Sequence, residues 1–308
     1  AQVGVTIDGV PAGIALAESD FEADLARRRA GAAGTTPRKE SDAPHIVSGI
    51  YRGFTTGAPL TVEFLNENTR SGDYGSLASH RRPSHADWVA MKKFHGYNDP
   101  RGGGHFSGRI TLALVTAGVV AKKILGSGVT FHTDIIEIGG SADKERFTDI
   151  IESARMDRDS VGGVVECRAE GVAAGLGEPF FDSAESLMAH LLFSVPAVKG
   201  VEFGSGFAAA RVRGSEHNDP IIDAEGHTST NHAGGIVGGI TNGNAIVVRA
   251  AVKPTASISR EQLSFNCASG QVDSLVIKGR HDVCITLRAA VIVESAVAIA
   301  LADLTLRA

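Results

Sequence analysis

The sequence predicts an α+β fold forming one large domain over residues 1–308. Three observations predict it. Helical and strand-like patterns are interleaved without regular βα alternation. No linker, low-complexity tract or clean internal repeat divides the chain. At 308 residues, 43% hydrophobic and 21% charged, the chain can bury a large core without disulfide or metal staples.

Taken in order, residues 3–7 read as a short strand closed by the turn Asp8-Gly9-Val10-Pro11. Ser19 and Glu22 have capping-box spacing and open a helix that stops at Gly31, after Arg27-Arg28-Arg29. Residues 31–44 are polar and rich in Gly, Thr and Pro, the composition of a loop. Residues 46–51 and 60–65 read as strands joined by a turn around Thr56-Gly57. Residues 66–83 form a second long polar loop, of a kind that is often functional. Ser84 is placed to cap a helix running to about Phe94, with Trp88, Met91 and Phe94 on its apolar face. A strongly apolar helix follows from about Ser107 to Leu125 and is expected to be central. Further strands are predicted at 129–137, 163–169, 200–212 and 245–252, and helices near 183–193 and 289–305. Asn231-His232-Ala233-Gly234-Gly235 and the run from Gly238 to Gly243 are Gly-rich turns.

Bulk properties narrow the function. The net charge of −5 gives no reason to expect nucleic acid as a partner. The most apolar stretch, Ala289 to Leu301, is too short to span a bilayer and is interrupted by Glu294, so a buried helix is expected and no membrane. Cys167, Cys267 and Cys284 are odd in number and lack CxxC spacing, which points to a reducing, cytoplasmic home. No signal peptide is legible. The 37 glycines are about twelve per cent of the chain, against a usual ~7%. That fits either close backbone approaches around a phosphate or cofactor, or simply a fold with many turns.

Five constellations could carry chemistry. Arg27-Arg28-Arg29 sits at a helix C-terminus, where it reads either as a solvated cationic end or as an anion clamp, with Arg38-Lys39 nearby. Arg82-Pro83-Ser84-His85-Ala86-Asp87 puts His85 in the first turn of a predicted helix, as a structural residue or as a general acid. Asp87 is read as too close in sequence to share its face. Arg101-Gly102-Gly103-Gly104-His105-Phe106-Ser107-Gly108-Arg109 leads into a helix and could offer backbone N–H groups to an anion, although it is neither a Walker loop nor GxGxxG. Lys253-Pro254-Thr255-Ala256-Ser257 could hold a phosphate, and Gly279-Arg280-His281-Asp282 mixes a cation, an imidazole and a carboxylate. No HExxH or CxxC spacing is present, so no metal is expected.

In this order and spacing the pieces resemble the chorismate synthase family, over nearly the whole chain from Ile7-Asp8-Gly9-Val10-Pro11 onward. The strongest matches are Arg82 to Asp87, Asn231 to Ile236, Lys253-Pro254-Thr255 and Gly279 to Asp282. The resemblance implies a β-α-β sandwich with central helices between antiparallel sheets, assembled as a homotetramer. It implies anti-1,4-elimination of phosphate from 5-enolpyruvylshikimate-3-phosphate, giving chorismate and requiring reduced FMN. A variant reading adds flavin reduction by NADPH. Carried over, His85 is the acid at the flavin, Asp282 assists proton removal there, and Ser107 lies beside the same atom. The flavin wall is expected from His105, Phe106, Ser107, Pro196, Ala197, Gly238, Lys253, Pro254, Thr255, Ala256, Ser257 and Arg280, and the substrate's anionic groups from Arg28, Arg82 and Arg109.

Three departures accompany the resemblance. The family's Gly-Glu-Ser-His-Gly motif is expected just before residue 1 and is absent. The match resumes immediately after it, which favours a longer parent chain over a flavin-binding protein that lacks elimination activity. His105-Phe106-Ser107-Gly108-Arg109 replaces a stretch that usually carries one more cation and one more hydroxyl. The loop after Arg29 is shorter than in some relatives, and Arg38 is the candidate substitute for an arginine often found there.

Overall fold

Strand β1 (Gln2–Ile7) turns Val3, Val5 and Ile7 inward and Gln2, Gly4 and Thr6 outward, the period-2 signature of a half-buried strand. A computed structural model describes residues 2–31, 33–36, 40–66, 79–99, 105–279 and 281–308. After β1 a 3-10 turn, Glu18–Phe21, runs into α1 (Glu22–Arg28). The expected Ser19 cap is corrected here. The chain enters the helical segment two residues earlier, at Ala17, and the Asp20 carboxylate accepts the Ala17 N–H at 2.8 Å. The next strands are β2 (His45–Ser48), β3 (Ile50–Tyr51), β4 (Phe54–Thr55) and β5 (Leu60–Leu65). Alternation in β5 buries Leu60, Val62 and Phe64, and β5 is the centre of an antiparallel sheet of order β1-β5-β2.

Helix α2 (Asp87–Lys93) starts later than its sequence suggests. Ser84 sits at φ +55, outside the helical region, so it closes a turn instead of capping. Trp88 and Phe94 are exposed, against the expectation of a buried face. The Trp88 ring is covered by cations, with the Arg81 guanidinium 5.1 Å and Lys92 Nζ 4.7 Å from its centroid.

Helix α3 (Thr111–Leu125) matches its apolar run and buries Leu112, Val115, Val119 and Val120. Then follow β6 (Thr130–Ile138), α4 (Phe147–Met156), β7 (Gly163–Glu170), α5 (Ala184–Ser194) and β8 (Val198–Phe203). Strand β8 is shorter than expected because Gly204 and Gly206, at φ +53 and +50, turn the chain into a 3-10 segment, Gly206–Arg211. The chain continues through α6 (Gly214–His217), β9 (Ile236–Val237), β10 (Ile240–Thr241), β11 (Ile246–Val252), β12 (Gln262–Asn266), β13 (Gln271–Leu275) and α7 (Thr286–Arg307). The second sheet is antiparallel in order β6-β7-β11-β8.

α3 and α7 form the centre. α3 also packs on β1, and α7 packs on β6, β7 and β11, so the helix pair joins the two sheets. The crossing is close at Gly118, where an added Cβ would lie 2.4 Å from the Ser295 Cβ. α7 is apolar and long enough to cross a membrane by composition, but 72% of that apolar window is buried inside the protein. Its one interior charge, Glu294, is matched. Arg27 donates to both carboxylate oxygens at 2.7 Å, and Lys122 bridges Glu294 and Asp24. Burial alone would raise the Glu294 carboxyl, yet the Arg27 hydrogen bonds and the Lys122 charge hold it down at about 2.

Candidate active site

The triple arginine divides between structure and site. Successive residues of a helix point 100° apart, so Arg27 turns to Glu294, while Arg28 turns inward and Arg29, at the helix end, is exposed but still lines the cavity that Arg28 opens onto. Arg28 is 1% exposed. Its Nε donates to Thr111 Oγ1 at 3.0 Å and its Nη2 to the Gly108 carbonyl at 2.9 Å, which ties the end of α1 to the start of α3. Burial, and then the nearby Arg288 charge, push the guanidinium down to about 9, with Asp42 opposing.

Arg28 opens onto a cavity of about 710 Å³, within the ~300–1,000 Å³ range of small-molecule and cofactor sites. Its wall comes from distant parts of the chain: the end of α1, the turn before α2, the entry to α3, the link from α5 to β8, the loop after β11 and the entry to α7. The wall includes Arg28, Arg82, His85, His105, Phe106, Ser107, Arg109, Pro196, Ala197, the run Lys253 to Ser257, and Asp282. These are all of the site residues read from the sequence except two. Gly238 does not line the cavity; it occupies the two-residue turn with Gly239 between β9 and β10, at φ +62. Arg280 lies outside the described residues, as do Arg38 and Arg101-Gly102-Gly103-Gly104. Asn231 to Ile236 also lies off the cavity, where Asn231 Nδ2 donates to the Ala245 carbonyl and its Oδ1 accepts the Gly235 N–H, both at 2.8 Å.

His85 lies in the turn before α2, not in the helix. The left-handed Ser84 folds the chain so that His85 Nδ1 comes 2.6 Å from Asp87 Oδ1, which corrects the reading that the two could not meet. Arg82 grips the same carboxylate through Nε and Nη2 at 2.8 and 2.7 Å, and its Nη1 reaches Ser257 Oγ at 3.0 Å. Burial would raise the Asp87 carboxyl, but Arg82 and His85 hold it well below the usual carboxylate range. All three guanidinium nitrogens of Arg82 therefore have protein partners, whereas Arg28 Nη1 and Arg109 Nη2 are buried without a hydrogen bond, Arg28 Nη1 having only an ion pair with Asp42 Oδ2 at 3.5 Å. Thr255 Oγ1 and His281 Nε2 are likewise buried and without a hydrogen bond.

Ser107 Oγ accepts the Arg109 N–H at 3.1 Å and so begins the 3-10 turn into α3. Lys253 Nζ donates to the Ser84 carbonyl at 3.0 Å; burial and then the charge of Lys199 push its ammonium down. Asp282 Oδ1 accepts the Thr36 N–H at 2.9 Å and lies 3.4 Å from Arg288 Nη1, with Oδ2 at 3.2 Å from the same nitrogen. Arg288 Nε donates to the Arg28 carbonyl at 2.9 Å.

Arg288, Asp42 and Lys199 line the cavity and were missed from sequence. Arg288 carried one signal, a charge in the first turn of an otherwise apolar helix. Asp42 carried none, being one acid in a polar loop. A second cavity of about 600 Å³, by β6 and β7, is lined by charges already matched, with Arg27 on Glu294 and Glu166 on Arg249. Among the described residues, the two buried arginine nitrogens without a hydrogen bond, Arg28 Nη1 and Arg109 Nη2, both belong to residues that line the first cavity. It suits a ligand that brings its own anionic oxygens and hydrogen-bonding groups.

Comparison with known proteins gives one answer. The family model for chorismate synthase matches residues 1–306. The chorismate synthase of Chitinophaga pinensis is 59% identical over 306 residues, covering 99% of this chain and 91% of that one. That of Korarchaeum cryptofilum is 44% identical over 333 residues, covering 99% and 92%. A crystal structure of a chorismate synthase superposes with a TM-score of 0.70 at 26% identity, covering 99% of this chain and 92% of that one. Alike in sequence to bacterial and archaeal relatives and in fold to a solved member, from one end to the other, this chain belongs to the chorismate synthase family and is a lyase.

Proposed function

We propose that the cavity at Arg28 is where this chain carries out the family's reaction, elimination of phosphate from 5-enolpyruvylshikimate-3-phosphate to give chorismate, with FMN in its reduced form as cofactor. The observation that carries the assignment is the convergence of Arg28, Arg109, His85, Lys253 and Asp282 on one cavity. Arg28 and Arg109 keep buried donors for the substrate's anionic oxygens. As phosphate leaves, such cations stabilise the charge that builds on it. Arg82 is better assigned to holding Asp87 than to gripping substrate. His85, with Nδ1 turned to Asp87, has Nε2 as the nitrogen that moves a proton. Asp282, fixed by Thr36 and Arg288, is the acceptor on the opposite end of the motif set.

Thr255 Oγ1, His281 Nε2 and the Lys253 ammonium suit a phosphorylated, heterocyclic cofactor, and His105, Phe106, Ser107, Pro196, Ala197 and the run Lys253 to Ser257 would hold it. Reduced flavin, when bound, lends electron density to a ring losing an anionic leaving group. One contiguous core, from Val10 to Leu304, supports reading the chain as one domain, and helices that join two antiparallel sheets support the β-α-β sandwich. Three free cysteines suit a cytoplasmic site. The homotetramer and any NADPH-driven flavin reduction rest on the family alone.

The test is anaerobic turnover of 5-enolpyruvylshikimate-3-phosphate with dithionite-reduced FMN, followed by chorismate absorbance, on the chain preceded by the family's Gly-Glu-Ser-His-Gly segment. Chorismate formation is expected. A chain that binds FMN and substrate but forms none would overturn the assignment.

A further inference from the structure

We propose that Asp42 is the resident counter-anion of this cavity: it balances Arg28 and Arg109 while no ligand is bound, and an incoming phosphate or carboxylate binds against its charge. The inference rests on the anion-binding reading of the cavity. Asp42 is 3% exposed and lines the wall between the two guanidiniums. Its Oδ1 accepts from Arg109 Nη1, and its Oδ2 lies 3.5 Å from Arg28 Nη1. Arg109 is fixed from another side by Asn66 Oδ1, 3.0 Å from its Nε. The Asp42 backbone is held at φ +48, a left-handed conformation that ordinary residues rarely adopt and that Asn and Asp tolerate best.

Charge balance gives the inference its direction. Five arginines, Arg28, Arg29, Arg82, Arg109 and Arg288, line this wall, and of their carboxylate partners Asp87 is taken by Arg82 and Asp282 by Arg288. Asp42 is the carboxylate whose two oxygens contact Arg28 and Arg109 at once, so its loss removes the contact that joins them. With Asp42, the site is assembled before ligand arrives: Arg109 Nη2 is buried without a hydrogen bond, and Arg28 Nη1 has only the 3.5 Å ion pair with Asp42, the contact an incoming anion would compete with. The same carboxylate opposes the ligand's negative charge. Asp42 is thus a positioning residue that sets how tightly anions are held, and so how readily phosphate departs. A purely structural Asp42 would have the opposite consequence, since its loss would disorder the arginines and weaken anion binding.

Asp42→Asn separates the two. Asparagine keeps an Oδ1 for Arg109 and tolerates the positive φ, but it carries no charge. The measurement is calorimetric titration of inorganic phosphate into the wild-type chain, Asp42→Asn and Asp42→Glu at fixed ionic strength. Asp42→Asn is expected to bind phosphate roughly tenfold more tightly than wild type, because one opposing charge at contact range is gone. Asp42→Glu is expected to stay within about threefold of wild type. Unchanged or weaker binding by Asp42→Asn overturns the counter-anion role. Wild type that fails to bind phosphate at all overturns the anion reading of the cavity, and this role with it. If Asp42→Asn does not fold, the double variant Asp42→Asn with Arg109→Gln removes one charge of each sign and is expected to fold. If the double variant fails too, even in phosphate, Asp42 is not acting through its charge.

Discussion

At the scale of single residues, the chemistry depends on side chains whose neighbours in sequence do not predict their neighbours in space. Arg27, Arg28 and Arg29 read alike, yet Arg27 pairs with the buried Glu294, Arg28 is buried in the cavity wall and Arg29 lies exposed at its rim. His85 and Asp87 read as unable to meet, and one left-handed residue between Arg82 and His85 brings them to 2.6 Å. A backbone turn of that kind is invisible to helical periodicity, because Ser84 looks like an ordinary cap. The geometry makes a direct demand on His85. If His85 is the proton-moving residue proposed above, its removal should lower turnover by about 10²–10⁴-fold, the usual scale for a lost acid–base group. Asp87 and Arg82 hold each other without it, so flavin and substrate affinities should change little. Steady-state turnover of His85→Ala, beside binding titrations of both ligands, checks this; near-wild-type turnover would remove His85 from the mechanism.

At the scale of elements, what the sequence revealed was what alternation and apolar runs encode. β5, β7 and α3 fall where the patterns put them because each buries a regular set of side chains. α4 and the β12–β13 hairpin were missed because they bury little: α4 buries Ile151 and the hairpin buries Leu275. The apolar face expected of α2 is solvent-exposed in this chain, with cations over Trp88. α7 was legible as a buried helix, but Glu294 within it was not explained until Arg27 and Lys122 were seen to reach it. That carboxyl sits at about 2 when folded, against an ordinary value near ~4.3 when unfolded. A lowered folded-state value means the contribution is fully present above the ordinary value and is lost as pH falls toward about 2. The difference corresponds to roughly 3 kcal/mol. Glu294→Gln leaves Arg27 and Lys122, both partly exposed, with Asp24 as their remaining carboxylate, and should cost about 1.5–3 kcal/mol at neutral pH, the scale of hydrogen bonds to charged groups. The gap between variant and wild type in denaturant unfolding should shrink as pH is lowered from 5 toward 2. A gap that stays constant over that window would mean Glu294 contributes through packing and not through its charge.

At the scale of the whole molecule, the cavity unites residues from Arg28 to Arg288, contributed by segments that pattern reading treats as separate loops and helix ends. The motifs named many of the wall residues, but neither periodicity nor composition could show that they share a wall, since that depends on how α3 and α7 cross. The close contact at Gly118 and Ser295 locks that crossing, and α1, β1 and the second sheet are built onto it. The wall itself is carried at the ends of these elements. Rigidity should therefore grade outward from the helix pair. The midsections of α3 and α7 are buried on most sides, so their amides should exchange with solvent only through global unfolding. β12 and β13 form a separate two-stranded sheet, joined to the segment before α2 by the His80–Asn266 bridge, and expose alternate residues, so their amides should exchange through local opening, with little dependence on denaturant. Hydrogen exchange followed by mass spectrometry across a denaturant series distinguishes the two regimes. Hairpin amides with the protection and denaturant slope of α7 would show that the hairpin belongs to the same cooperative unit as the helix pair, and that the site is braced from that side as well.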